Sequence, residues 1–154
     1  MNYNLDITTI QASIVTEVKR LFPNIPVIPD GMVDSEDAPK DQYGNVAPFF
    51  VLWFHDIRRG PRRAGRSFGG TRMDSYRSRF DLISVAGDGA TCRQNLNEAN
   101  DELIGWKPLN SGELLKGEAM WSDTRPVLDS SNVPTRFAAT SRFDFGVLAN
   151  RVEP

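Results

Sequence analysis

The residues of this chain that could carry chemistry are few, and one stretch concentrates them. Arg58 to Arg72 (RRGPRRAGRSFGGTR) holds six arginines, four glycines and one proline, with Phe68 as its single aromatic side chain. Guanidinium groups this dense could bind the phosphates of a nucleic acid, make bidentate bonds to the carboxylates of an acidic protein, or stand solvated with no partner. The formal net charge of the chain is -2, so it has no general attraction for polyanions. A local arginine cluster must then be aimed at a particular neighbour or tolerated on the surface. Phe68 offers a surface on which a base could stack, but no recognised nucleic-acid fold surrounds it. Arg outnumbers Lys by 14 to 4, which favours planar, bidentate recognition over diffuse charge.

The remaining candidates yield less. His55 and Asp56 are neighbours on a strand-like stretch, so their side chains point to opposite faces and cannot form a dyad with each other. With no base partner evident in the sequence, His55 reads as a packed or interface histidine. Cys92 is the single cysteine, which excludes an internal disulfide, and it falls on the apolar stripe of a helix, where a thiol is inert. That argues against a cysteine hydrolase. One Cys and one His are too few for a zinc site of the usual Cys/His kind. The acidic run Asp30 to Asp41 (DGMVDSEDAPKD) lacks the spacing of a calcium loop, Asn97 to Glu102 (NEANDE) is the polar face of a helix, and Gly65 to Gly70 (GRSFGG) lacks the spacing of a phosphate loop. The expectation is a protein with no catalytic residues, no cofactor and no metal.

The elements that position these residues follow from periodicity. At 154 residues and 40% hydrophobic content, the chain suits one domain with one core. No apolar run approaches the length of a membrane span, so no membrane partner is expected. The N-terminal residues lack the basic start and apolar centre of a signal peptide, which predicts a cytoplasmic product or one that leaves the cell by another route. Ile7, Ile10, Ile14, Val18 and Leu21 recur at three- and four-residue steps, predicting a helix from near Asp6 or Thr8 to Phe22, where Pro23 stops it. Ile25 to Pro29 can only be extended. Asp30 to Val46 is rich in acidic and turn-forming residues and reads as an exposed loop.

Phe49 to Ile57 is apolar on both alternating faces at its start, as in a central strand covered on two sides. Tyr76, Phe80 and Leu82 alternate with Arg77, Arg79 and Asp81, the period of a strand with one wet face. The two strands and the arginine-rich segment make an antiparallel hairpin with a long tip. Asp88 is placed to cap a second helix in which Cys92, Leu96, Ala99 and Leu103 form the buried stripe and Gly105 supplies the stop. Glu118 to Ser122 is a short strand candidate, and Asp123 to Pro134 a polar turn region. A long final strand follows, with Phe137, Ala139, Ser141, Phe143, Phe145 and Val147 alternating with Arg136, Thr140, Arg142 and Asp144. This order predicts an α+β fold, an antiparallel or mixed sheet with two helices packed on one face. The other sheet face would carry Arg77, Arg79, Arg136, Arg142, Asp81 and Asp144 to solvent.

The arrangement of an amphipathic N-terminal helix, a Pro-rich extended segment, APFFVLWFHDI, a variable loop, YRSRFDLISVAGD, the helix GATCRQNLNEANDELIG and the strand TRFAATSRFDFGVL resembles the tail terminators of long-tailed phages, the minor tail protein U type among them. The resemblance spans about Asp6 to Val147 and rests on element order. It implies a structural virion protein at the head-proximal end of the tail, a homo-oligomeric ring, commonly a hexamer, that stops tube polymerisation and presents a surface for head joining. Its partners would be itself, the tail tube protein and head-tail connector proteins, with DNA in the lumen as a possible contact. Assembly residues would be Arg58, Arg59, Arg62, Arg63, Arg66, Phe68 and Arg72 in the hairpin tip, and the six charged residues of the wet face. The tip is longer and richer in arginine than in typical members, so its role does not carry over from the family. The alternatives are a head-to-tail connector or stopper and, further off, a small nucleic-acid-binding module.

Overall fold

The computed structural model describes residues 2–4, 7–55, 58–59, 76–109, 111–116, 125–147 and 150–152. In chain order the elements are β1 (Asn2–Asn4), α1 (Ile7–Leu21), β2 (Val27–Pro29), β3 (Phe49–Phe54), β4 (Arg58–Arg59), β5 (Tyr76–Ala86), α2 (Gly89–Leu103), β6 (Leu115–Lys116), β7 (Val127–Asp129), β8 (Arg136–Val147) and β9 (Asn150–Val152). The main sheet runs β2-β3-β5-β8-β6, with β4 also pairing β5 and β7 also pairing β8. β2 lies parallel to β3, and the other ladders of this sheet are antiparallel. The fold is therefore α+β with an open mixed sheet. β1 and β9 pair with each other in a separate antiparallel ribbon, which no periodicity predicts, because three residues are too few to show one.

Both helices cover the same sheet face. Ile10, Ile14 and Val18 of α1 meet Cys92, Leu96, Ala99 and Leu103 of α2 over Phe50, Leu52, Phe80, Leu82, Phe143 and Phe145. Burying side chains of this size from water is the main stabilising term, at about 1.5–3 kcal/mol each. Phe80 is the hub: its ring stacks on Phe143 at 5.1 Å between centroids and also meets Phe54 and Phe145. α1 ends where Pro23 removes a backbone donor, with Phe22 still bonded to the Val18 carbonyl. Asp88 caps α2 by accepting from the Thr91 backbone N–H and hydroxyl, both at 2.8 Å, which holds its carboxyl below the usual range. Gly105, at φ +87°, turns the chain away past the other end.

The segment from Asp30 to Val46 departs from expectation. It covers the second face of the sheet instead of standing free: Ala38 and Val46 are buried with Phe49, Val51 and Val85, and Val33, Ile28, Ile83 and Ala138 pack against them. Three scattered apolar residues in an acidic stretch carry no period, so their burial is invisible to pattern reading. Arg136 fastens this cover. Its guanidinium is 4% exposed and donates to the Val33 carbonyl and, at 3.3 Å, to Asp129 Oδ2. Asn132 accepts from the Ser35 backbone N–H at 3.0 Å. Arg136 thus sits on the predicted face but under a lid of backbone, not in solvent. Close packing at the same edge demands glycine at 87, since a Cβ there would lie 2.9 Å from the Val46 carbonyl oxygen.

β3 stops at Phe54, short of the expected Ile57, and pairing with β5 resumes at Arg58 opposite Arg77 and Arg59 opposite Tyr76. The antiparallel hairpin is formed. Its connecting residues 60–75, and the strand candidate at 118–122, lie outside the described residues.

Candidate functional site

The cover leaves half of the second sheet face open. That half is built by the alternate residues of β3, β5 and β8 that point away from the helices. Trp53 stands opposite Asp81, Asp81 opposite Arg142, and Arg79 opposite Asp144, by the registers of the three strands. β6 adds Leu115 opposite Asp144 at the edge. Trp53 and Leu115 are 48% and 50% exposed, large apolar groups set among charges.

Each carboxylate on this face is held by an arginine of the neighbouring strand. Arg79 Nε donates to Asp144 Oδ1 at 2.8 Å, and Arg142 Nε donates to Asp81 Oδ1 at 2.8 Å. The sequence carries the signal for this pairing: Arg79-x-Asp81 and Arg142-x-Asp144 are the same spacing on two strands, and antiparallel crossing sets each Arg against the other's Asp. Opposite charges directly across a ladder contribute roughly 0.2–1 kcal/mol per pair. His55 adds a third partner, its Nε2 lying 3.0 Å from Asp81 Oδ2. Burial alone would push the Asp81 carboxyl up. The hydrogen bonds from Arg142 and His55, and their charges, outweigh that and hold it below the usual range.

His55 therefore has the acidic partner that its sequence neighbourhood does not offer, 26 residues away along the chain. The arrangement is still a poor general base. Asp81 is shared with a guanidinium, and the hydroxyls of Ser78, Ser84 and Ser141 are buried under the helices on the other face. Cys92 is likewise sequestered. Its thiol donates to the Ser84 carbonyl at 3.1 Å while Ser84 Oγ donates to the Cys92 carbonyl at 2.9 Å, and burial pushes the thiol pKa up. Among the described residues no group of three His, Cys, Asp or Glu side chains could hold a metal ion, and no helix is long and apolar enough to cross a membrane.

Of the residues singled out from sequence, Arg77, Arg79, Asp81, Arg142 and Asp144 share one open face, whereas Arg136 is withdrawn beneath the 30–46 cover. Arg58 and Arg59 occupy ladder positions beside Arg77 and Tyr76, at the root of the tip. Arg62, Arg63, Arg66, Phe68 and Arg72 lie outside the described residues. The residues missed were Trp53 and Leu115; His55 was read as a packed or interface histidine, and what the sequence did not reveal was its partner Asp81. Trp53 had a signal, since it holds the odd-numbered face of β3 with His55, but an apolar run hides which positions are wet. Compared with known proteins, the chain matches no family model and no curated sequence.

Proposed function

We propose that this chain is a structural virion protein of the tail-terminator kind: an oligomeric ring, six copies in the simplest case, that caps the tail tube, stops its polymerisation and offers the surface to which the head is joined. The observation that carries the reading is the open sheet face. Arg79, Asp81, Arg142 and Asp144 are locked in cross-strand ion pairs around a half-exposed tryptophan, a rigid surface of the composition that protein contacts favour. Among the described residues the side-chain partner of His55 is Asp81, which Arg142 already holds. The element order behind the resemblance is also present among the described residues, a two-helix layer on a mixed sheet in which Arg58 and Arg59 pair with Arg77 and Tyr76 on either side of the arginine-rich segment.

In this reading the arginine-rich tip is an assembly arm whose guanidinium groups bind an acidic neighbour, whether tube protein or connector. The test is direct. Purified protein is mixed with polymerising tail tube protein and, separately, with head connectors, and the ends of the tubes are examined by electron microscopy. Capped tubes of fixed length support the terminator role; binding to connectors alone moves the protein to the stopper class. Arg62, Arg63 and Arg66 replaced together by Ala should abolish tail completion while leaving thermal stability unchanged, and normal particles from that variant would remove the tip from the mechanism. Binding to DNA that weakens steeply with salt, in the absence of tube binding, would replace the reading altogether.

A further inference from the structure

The open sheet face is not neutral. Arg77, Arg79 and Arg142 outnumber Asp81 and Asp144, and Arg77 is exposed with no ion pair among the described residues. Arg79 and Arg142 are already fixed by their carboxylates, so little rotamer freedom remains to be lost when a partner binds. A surface of this kind wants an acidic counterpart, and the chain carries one on its other side. The outward surface of α2 presents Glu98, Asp101 and Glu102, all exposed, with Arg93 the only exposed cation on that helix.

Three carboxylates near the C-terminal end of a helix, with no basic residue in its last turn, oppose the helix dipole, whose negative end lies there. Helix stability does not explain them. Asp101 forms no ion pair within the described residues, and Glu102 feels the charge of Arg20 on α1 without closing an ion pair with it. From this complementarity we infer that the open sheet face docks a second copy of this chain, receiving the acidic outer surface of that copy's α2, with Trp53 at the centre of the contact and Arg77 meeting the carboxylates. Contact between unlike faces is heterologous, so each copy keeps one face free for the next, and repetition closes a ring or extends a filament. The inference deepens the ring proposed above and rests on it for the closed form, but the contact itself can be tested without any phage component.

A photo-crosslinking residue replaces Trp53, half exposed and so tolerant of change, in the full chain, and a second preparation carries it at Leu115. Each is irradiated after mixing isotopically heavy and light copies, and crosslinked peptides are identified by mass spectrometry. The expected result is a mixed heavy-light crosslink from position 53 to residues 93–104, reduced about tenfold or more by joint Glu98→Lys and Asp101→Lys substitution and recovered when the crosslinking copy also carries Arg77→Glu. Crosslinks from position 53 to position 53 or to other sheet residues, crosslinks only within one copy, or a yield indifferent to the charge changes would overturn the inference. Crosslinking to α2 by a protein that leaves tubes uncapped would retain this contact and discard the terminator role. Capped tubes without that crosslink would do the reverse.

Discussion

Arg136 gives the sharpest test of the structural reasoning, because sequence pattern puts it in solvent and the fold puts it under the 30–46 segment. Arg136→Met keeps much of the stem's volume and removes the guanidinium. The bond lost to the Val33 carbonyl is buried and charge-assisted, worth about 1.5–3 kcal/mol including the carbonyl left unpaired. The bond to Asp129 is long, at 3.3 Å, and its carboxylate is about one third exposed, so solvent screening leaves it a minor contribution. A loss of about 3 kcal/mol results, which for a domain of this size lowers the melting temperature by about 6–12 °C. The loss should be local first. Backbone amides of residues 33–38 should exchange with solvent faster, while those of α1 and of the Phe80 strand keep their protection, because the helix-side core is untouched. Urea unfolding and hydrogen exchange by mass spectrometry read both. A cost below about 1 kcal/mol, or unchanged protection at 33–38, would refute the claim that Arg136 fastens the cover.

Asp81 sets a pH dependence. Its folded pKa lies below the unfolded value of about 3.9, so its stabilisation is complete above that value and is lost as pH falls through the folded pKa. Asp81→Asn should therefore lower the melting temperature at pH 7 and flatten its decline in acid, and parallel curves for the two proteins would contradict the shared ion pair. Gly87→Ala should cost about 1–3 kcal/mol, since the methyl group meets the Val46 carbonyl and backbone must move; a neutral result in thermal unfolding would mean that the 30–46 segment yields easily there. The Cys92 thiol, buried and with a raised pKa, should react with an aromatic disulfide reagent only as fast as the native protein unfolds, and prompt labelling under native conditions would show the α2–β5 seam to be open.

The sequence by itself determined what short-range physics controls. Helical spacing from Ile10 to Val18 and from Cys92 to Leu103, the Pro23 stop, the Asp88 cap and the left-handed Gly105 act within a few residues, and each is where local rules put it. Alternation along β5 and β8 likewise separates Phe80, Leu82, Phe143 and Phe145 from Arg79, Asp81, Arg142 and Asp144, because a strand has only two faces. What alternation leaves open is which residue stands opposite which. Register set the Arg79–Asp144 and Asp81–Arg142 pairs and brought His55 to Asp81, turning wet positions into a fixed lattice. Tertiary structure alone decided that the acidic segment 30–46 lies down on half of that face, drawing in Arg136 from 103 residues away to bond the Val33 carbonyl. Such contacts arise from chain closure over long separations, which no local pattern encodes, and they determine how much of the charged face remains open to a partner.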